Sequence, residues 1–219
     1  LDGTWNTPDQ KKRKLDAPTN VAKFSIALAS MNGLQRQRYE EGVGTGFEES
    51  LPGGVLGAGI TARLLKGYSF LQERYADEAF DRQSNRVFIL GFSRGAYTAR
   101  LLSNLIAWSG LSVKAEDCEE GMGRFLNRRK ASDLKTSKRF FDIPVEMVGV
   151  WDTVKSALIG DYGDSSLPAN VVAGYHAMSL DEKRAPFPIL RWKKAGSRAK
   201  ERWFAGVHSD VGGGYAVSE

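Results

Sequence analysis

The sequence predicts an α/β fold in which a mostly parallel sheet is covered by helices on both faces. Short apolar runs typical of buried strands alternate along the chain with longer segments of helical periodicity, and this alternation is typical of parallel sheets. One strand run passes directly into a glycine-rich turn and then a helix, at Arg86–Arg100. The helical periodicity is clearest near Thr61–Asp77, where these apolar residues recur at helical spacing: Ile60, Leu64, Leu65, Tyr68, Leu71 and Tyr75.

The predicted elements follow one another in an order that a single α/β domain accommodates. They are a strand and loop (1–18), a helix (Val21–Ser30), glycine-rich loops, the long helix, the strand and helix at Arg86–Arg100, a basic helical insertion, a strand (Val145–Trp151), a helix and loop region that includes Asn170–Leu180, and a last strand (Trp203–Val207). We interpret Gly42–Gly46 and Gly53–Gly59 as loops at the entrance of a site. The second stretch lacks the preceding strand and the glycine spacing of a dinucleotide-binding loop.

Length and composition agree with one domain over residues 1–219. The hydrophobic fraction of 42% is ordinary for a globular enzyme. No apolar run approaches the roughly 18 residues that a membrane-spanning helix needs. Cys118 is the only cysteine, so no intrachain disulfide can form, and its acidic neighbours argue against a reactive thiol.

Gly91 and Gly95 flank Ser93 in the form Gly-x-Ser-x-Gly, which is typical of a nucleophile elbow between a strand and a helix. Such a turn places the serine in a strained backbone conformation, and the glycines let neighbouring chain pass close to it. The helix that follows directs its first amides towards the serine, so the Arg94 N–H is a candidate donor to an oxyanion. Ser93 is therefore the candidate nucleophile.

A serine hydroxyl needs a histidine as its base, and the chain contains two. His208 closes the apolar run Trp203–Val207 and opens a glycine-rich turn, where a loop at the carboxyl end of a strand would deliver a catalytic base. His176 lies in a segment of helical character with no such turn, which favours a role in packing or in the wall of the site. His208 is the candidate base.

The acid is expected between the serine and the histidine along the chain, just past a strand end. Asp152 directly follows a buried-strand run and is the candidate, with a helix cap as its alternative role. Asp161 and Asp164 look like turn residues. Asp210 is so close to His208 that we expect it to shape the turn or brace the site.

The first block of the chain offers a second oxyanion donor. In α/β-hydrolases this donor comes from a loop after an early strand, and Gly3 and Thr4 are the candidates here. The alternative is a plain Asp-Gly turn in which Asp2 bonds its own backbone. Asp2 is also placed to accept hydrogen bonds from Arg94 and so to compensate a charge near a buried turn.

Six blocks of the sequence, in this order, resemble the successive signature blocks of the type VI secretion lipase effector family and of the wider, largely uncharacterised α/β-hydrolase domain that includes it. The blocks are Leu1–Asn6, Thr19–Val21, Gly42–Gly46, Gly91–Arg100, Gly149–Val154 and Trp203–Tyr215. The resemblance implies an α/β-hydrolase fold and a triad of Ser93, Asp152 and His208. In the effector members it also implies phospholipase A activity on membrane glycerophospholipids.

The chain departs from the family pattern at both ends. It begins at Leu1, without a methionine and without the apolar strand that normally leads into the first block. It ends just past the turn Gly212–Gly214, where the family continues into a further helix. We therefore expect residues 1–219 to be a single α/β-hydrolase catalytic domain, cut short at both ends.

The net charge of +5 gathers in clusters on the sequence. Basic clusters hold proteins near anionic lipid headgroups at about 1 kcal/mol per residue, which makes peripheral membrane contact one reading and solvated surface charge the other. No nucleic-acid-binding motif accompanies them, so we expect no nucleic acid partner. The clusters are Lys11–Lys14, Arg124–Lys130, Lys135–Arg139 and Arg191–Lys194.

These observations predict a serine hydrolase of acyl esters, with a phospholipase A as the first hypothesis. The alternatives are a carboxylesterase or acyltransferase that acts on soluble esters, and a catalytically silent binding module of a larger protein. The mechanism needs no cofactor, and the sequence shows no His-x-x-x-His or paired-cysteine metal site. We expect a soluble protein made in the cytoplasm. The resemblance adds export without a signal peptide to target-cell membranes, and it leaves the delivery and regulatory partners unassigned.

Overall fold

The computed structural model describes residues 1–3, 17–29, 35–42, 54–76, 85–112, 114, 117–127, 140–154, 166–185, 187–193 and 196–215. Within these ranges the helices are α1 (Asn20–Ala29), α2 (Gly54–Ala76), α3 (Ser93–Ser109), α4 (Asp117–Asn127) and α5 (His208–Gly212). The strands are β1 (Val87–Phe92), β2 (Leu111–Ser112), β3 (Phe140–Phe141), β4 (Val145–Trp151), β5 (Val171–Ser179) and β6 (Ala199–Phe204), and a short 3-10 turn (Gly196–Arg198) precedes β6.

The four longer strands form one parallel sheet in the order β1-β4-β5-β6, which confirms the predicted parallel sheet. The backbone of Leu1 continues the sheet beyond β1. Its nitrogen donates to the Leu90 carbonyl oxygen at 3.2 Å, and its carbonyl oxygen accepts the Phe92 N–H at 3.2 Å. β2 and β3 pair antiparallel as a separate ribbon. Because the strands of the main sheet run in one direction, their carboxyl ends share one edge.

Helices lie on both faces of this sheet, as predicted. On one face α3 packs against β1 and β4, and α2 and α4 pack against α3. The hydrophobic core lies there and includes Ile89, Val148 and Leu105. Trp151 follows the core residue Val150 along β4 and so points to the other face, where its ring centroid lies 5.7 Å from that of Phe24 of α1. The sheet therefore has helices on each side, with its main core on the α3 side.

The segment Asn170–Leu180 was expected to be helical, and this prediction was wrong. Most of it forms β5, which lies between β4 and β6 in the sheet. Val171 and Val172 are β-branched and favour a strand, and Gly174 disfavours a helix. A Cβ on Gly174 would lie 2.9 Å from a Leu167 methyl carbon, so the glycine also allows the close packing of this central strand.

The reading of Gly53–Gly59 as a loop was also wrong for most of the stretch. The helix α2 begins at Gly54 and runs without interruption to Ala76. The helical periodicity seen in the sequence thus extends further towards the amino end than the glycines suggested, because neighbouring Leu56 and Ala58 favour a helix. The other expected loop, Gly42–Gly46, lies outside the described residues beyond Gly42. None of the helices in the described parts of the chain is long and apolar enough to span a bilayer.

Candidate functional site

The turn at Ser93 joins β1 to α3 without an intervening loop. Ser93 has a φ of 58°, a left-handed conformation that residues with a side chain rarely adopt. The two flanking glycines make this turn possible. A Cβ on Gly91 would lie 2.6 Å from the Gly95 carbonyl oxygen, and one on Gly95 would lie 2.2 Å from the Asp2 carbonyl oxygen. The Gly-x-Ser-x-Gly pattern therefore reflects backbone strain at the serine and close chain packing at both glycines.

The structure brings Ser93, His208 and Asp152 together at the carboxyl edge of the sheet. His208 Nε2 lies 2.8 Å from Ser93 Oγ, and His208 Nδ1 lies 2.6 Å from Asp152 Oδ2. All three side chains are buried. With Nδ1 protonated towards the carboxylate, Nε2 is free to accept the serine proton, and such an arrangement activates a hydroxyl as a nucleophile.

Asp152 stands in a second strained turn, directly after β4. Its φ is 41°, and its N–H donates to the Ala177 carbonyl oxygen at 2.8 Å. Ser179, at the end of β5, holds both carboxylate oxygens: its N–H donates to Oδ1 at 2.8 Å and its hydroxyl donates to Oδ2 at 2.8 Å. Burial alone would raise the pKa of Asp152, but the hydrogen bonds from His208 and Ser179 outweigh it and lower the pKa.

Ser179 is a site residue that the sequence reasoning missed. It becomes recognisable only once Asn170–Leu180 is known to be a strand beside β4, because the carboxyl ends of neighbouring parallel strands meet. A serine at that strand end, one strand away from the acid, would have been the signal.

Two aromatic rings enclose His208. The ring centroid of Phe92 lies 4.7 Å from that of His208, and the centroid of Phe187 lies 4.9 Å from it, edge-on. Gly212 allows Phe92 to take this place, since a Cβ there would lie 1.9 Å from a ring carbon of Phe92. The backbone N–H of His208 donates to Glu182 Oε2 at 3.3 Å. The imidazole is therefore held by apolar contacts at its sides and by hydrogen bonds at both nitrogens.

Asp210 lies in the turn that delivers His208. Its Oδ2 accepts the Val207 N–H at 2.8 Å across the first turn of α5. Gly206, in the same turn, has a φ of 105° and would bring a Cβ within 2.7 Å of the Asp210 Cβ. Asp210 therefore shapes the turn, as expected, and the carboxylate that is hydrogen-bonded to the His208 ring belongs to Asp152.

The remaining predicted site residues lie around the start of the chain. The Arg94 N–H belongs to the first turn of α3, where backbone amides have no acceptor within the helix. The Gly3 N–H donates to Asp2 Oδ1 at 2.6 Å, so the structure uses this amide in an Asp-Gly turn, the alternative weighed above. Thr4, the other candidate donor, lies outside the described residues.

Asp2 does not receive the predicted hydrogen bonds from Arg94. Its Oδ2 accepts the Thr19 hydroxyl at 2.6 Å and the Tyr39 hydroxyl, and both donors fill the carboxylate that Arg94 was expected to contact. Burial raises the pKa of Asp2, although these hydrogen bonds oppose the rise. Thr19 in turn caps α1 by accepting the Ala22 N–H at 3.1 Å. Asp2 thus ties the first residues of the chain to α1.

His176, which the sequence did not favour as the base, is buried in β5 next to the turn that holds Asp152. Its Nε2 accepts the Thr153 N–H at 3.1 Å, and its Nδ1 lies 3.2 Å from Glu201 Oε1. Burial lowers the pKa of His176, so the ring is neutral at pH 7 and can accept that N–H. The predicted polar contact in the wall of the site is therefore a hydrogen bond to the residue that follows Asp152.

Among the residues described by the structure, no group of three or more His, Cys, Asp or Glu side chains is arranged to hold a metal ion.

Several known proteins are similar to this chain over part of their length. An uncharacterized protein of Saccharomyces cerevisiae, YEL023C, is 24% identical over 211 residues, which cover 78% of this chain and 30% of the yeast protein. A crystal structure of an uncharacterized protein from Pseudomonas aeruginosa is 25% identical, covers 74% of this chain and 24% of that protein, and has a TM-score of 0.42. The structure of the Tle1 effector bound to the VgrG spike from the type 6 secretion system is 19% identical, covers 82% of this chain and 35% of that chain, and has a TM-score of 0.47.

The chain therefore spans about a third or less of each of these proteins. A family model covers it entirely: the model described as T6SS, phospholipase effector Tle1-like, catalytic domain matches residues 1–219. This chain belongs to the family of Tle1-like catalytic domains of type VI secretion phospholipase effectors.

Proposed function

We propose that this chain has an α/β-hydrolase fold and is a serine hydrolase that cleaves the acyl ester bonds of glycerophospholipids, as a phospholipase A. One observation carries the chemistry: Ser93 Oγ, His208 Nε2, His208 Nδ1 and Asp152 Oδ2 form a continuous hydrogen-bonded chain with distances of 2.8 and 2.6 Å. Membership in a family of phospholipase effectors supports the substrate class.

In the first half-reaction, Ser93 Oγ attacks the ester carbonyl carbon while His208 Nε2 takes the hydroxyl proton. The carbonyl π electrons move to the oxygen, which becomes an oxyanion. When the oxyanion collapses, the bond to the lysolipid oxygen breaks and His208 returns the proton to that oxygen. The products are an acyl ester on Ser93 and a lysophospholipid alcohol.

In the second half-reaction, water attacks the acyl-serine. His208 Nε2 accepts a proton from the water, and the fatty acid leaves as Ser93 Oγ recovers a proton. The Arg94 N–H, at the positive end of α3, would stabilise the oxyanion in both halves. Asp152, with its lowered pKa, stays ionised and stabilises the imidazolium that forms in each half.

The experiment that tests this proposal is labelling of the purified chain with a fluorophosphonate probe. The probe phosphorus is attacked by an activated serine, so we expect the chain to be labelled. Ser93→Ala and His208→Ala should abolish the label, since one removes the nucleophile and the other its base. In a separate assay, protein that has not been exposed to the probe should release fatty acid from phospholipid vesicles faster than it hydrolyses short soluble esters.

Ser103→Ala is the matched control for this experiment. Ser103 is also buried and lies on α3, but its hydroxyl donates to the Arg100 carbonyl oxygen at 2.8 Å within the helix. The Ser103→Ala variant should therefore still be labelled by the probe. Labelling that persists in Ser93→Ala would refute the assignment of the nucleophile. If the probe labels the chain but the untreated protein hydrolyses only soluble esters, the phospholipase proposal would be refuted and a carboxylesterase favoured.

Ser179→Ala is expected to lower kcat about tenfold, with little change in KM. The variant loses the hydroxyl bond to Asp152 Oδ2 but keeps the backbone bond to Oδ1, and a hydrogen bond to a charged group contributes about 1.5–3 kcal/mol. A less well held carboxylate orients His208 less well, which affects the transition state more than substrate binding. Steady-state kinetics on one phospholipid substrate measures this split.

Ser109→Ala is the control for the loss of a buried hydroxyl. Ser109 is fully buried on α3, and its hydroxyl donates to the Leu105 carbonyl oxygen at 2.8 Å, at the end of the helix away from Ser93. The kcat of Ser109→Ala should match that of the wild type. An equal fall in kcat for both variants would mean that Ser179 acts through general stability and not through Asp152.

A further inference from the structure

An open pocket of about 460 Å³ adjoins His208. It connects to the base in two ways: Val207 directly precedes His208, and Glu182 accepts the backbone N–H of His208. Five of its six lining residues carry a charged or polar group, so it offers several contacts to a polar group. The lining residues are Asp181, Glu182, Lys183, Arg184, Val207 and Tyr215.

Three of the four charged groups in the pocket are already engaged. Arg184 donates to both carboxylate oxygens of Glu182, from Nε at 2.9 Å and from Nη2 at 2.6 Å, and its guanidinium stacks 4.2 Å from the centroid of the Phe187 ring. The hydrogen bond from Arg184 is the main reason that the pKa of Glu182 falls to about 2. Asp181 Oδ2 accepts the Gly206 N–H at 2.7 Å. The Glu182–Arg184 pair is thus fixed in position and close to neutral as a unit.

Lys183 differs from these three groups. Its side chain is exposed, and within the described part of the chain its ammonium group has no hydrogen-bond or ion-pair partner. It follows Glu182 directly in the chain and lines the same pocket. The lining is neutral overall, with Asp181 and Glu182 against Lys183 and Arg184, but both carboxylates are already hydrogen-bonded, so the Lys183 ammonium is the charged group that remains available to an anionic group.

We propose that this pocket binds the phosphate of the phospholipid headgroup, with the Lys183 ammonium as its main contact, an inference that rests on the function proposed above. Phosphate is the anionic group common to glycerophospholipids, and it lies only a few covalent bonds from the glycerol ester groups. A phosphate held beside His208 therefore brings an ester carbonyl close to Ser93. The pocket selects phospholipids over neutral lipids that carry the same acyl chains.

The test compares two substrates in neutral detergent micelles: a phospholipid, and the diacylglycerol with identical acyl chains. The measured quantity is the ratio of kcat/KM for the phospholipid to kcat/KM for the diacylglycerol. Lys183→Gln is expected to lower this ratio about tenfold, the effect of losing one charge-assisted hydrogen bond. Lys193→Gln is the matched control. Lys193 is also exposed, but its backbone forms a parallel bridge with Ser166, ahead of β5 and β6 in the chain and away from the site, so the substitution should leave the ratio unchanged.

Inorganic phosphate separates a headgroup site from a site for free phosphate. It is expected to compete with the phospholipid and to leave diacylglycerol hydrolysis unaffected. Phosphate inhibition of diacylglycerol hydrolysis that disappears in Lys183→Gln would overturn the headgroup assignment. An unchanged ratio in Lys183→Gln would overturn the pocket proposal. Hydrolysis of the phospholipid by the wild type would still support the proposed function. Failure of the wild type to hydrolyse either lipid would refute the proposed function and this inference with it.

Discussion

Asp152→Asn is expected to lower kcat by about four orders of magnitude while the fold stays intact. In the wild type, Asp152 only accepts hydrogen bonds: Oδ1 from the Ser179 N–H, and Oδ2 from the Ser179 hydroxyl and His208 Nδ1. An asparagine must place its NH₂ group at one of these two positions. Facing the Ser179 N–H, it would set two donors against each other, so the stable orientation turns the NH₂ towards His208.

That orientation reverses the tautomer of the base. The NH₂ donates to His208 Nδ1, so the ring proton moves to Nε2, which can no longer accept the proton of Ser93. The side chain keeps its size, so unfolding temperature should change little while kcat collapses. Asp117→Asn is the control, because Asp117 is also buried but, as the first residue of α4, accepts a hydrogen bond from the Ser112 hydroxyl at 3.0 Å. A kcat within tenfold of the wild type for Asp152→Asn would contradict its role as the acid.

Gly95→Ala is expected to destabilise the fold by about 3 kcal/mol. The new Cβ would lie 2.2 Å from the Asp2 carbonyl oxygen and 2.4 Å from that of Leu1, well inside van der Waals contact. Backbone atoms form this obstacle, so no side-chain rotation relieves it. The Leu1–Asp2 segment would have to move away from β1, which would break its hydrogen bonds to Leu90 and Phe92.

Gly123→Ala is expected to stabilise the fold, in contrast to Gly95→Ala. Gly123 lies inside α4, and a Cβ there would meet no atom within 4 Å. Alanine should therefore stabilise the helix by about 0.5–1 kcal/mol. Urea unfolding of both variants measures the two free energies. If the two glycine variants shifted the free energy of unfolding equally, the close approach at Gly95 would not be real.

The parts of the site that sequence reasoning located are those where one short segment contains the whole signal. At Ser93, strand, turn and helix follow one another within a few residues, and at Asp152 a buried strand ends directly before the carboxylate. His208 was reached because only two histidines exist and one follows an apolar run. Each of these signals is local, and the parallel sheet then brings the three strand ends to one edge.

The supporting residues could not be found in this way, because their roles depend on the order of the strands. Ser179 and His176 reach the acid turn only because β5 lies next to β4, and Glu201 reaches His176 because β6 lies next to β5. Because Asn170–Leu180 was predicted to be a helix, no strand was expected next to β4 at this place in the sheet. β5 does not alternate strictly between buried and exposed positions, and its buried residues Val171, Gly174 and Met178 recur at a spacing of three and four, so the pattern is easily taken for a helix.

The two positive φ angles, 58° at Ser93 and 41° at Asp152, also bear on how such a domain changes over evolutionary time. Glycine adopts this conformation with about 1 kcal/mol less strain than a residue with a side chain. At Ser93 the proposed chemistry and the backbone conformation therefore favour different residues, whereas at Asp152 the three hydrogen bonds to the carboxylate oppose the backbone strain. If the proposed hydrolysis were no longer selected for, Ser93 could be replaced by glycine with relief of backbone strain, whereas replacement of Asp152 would leave Ser179 and His208 without their buried acceptor.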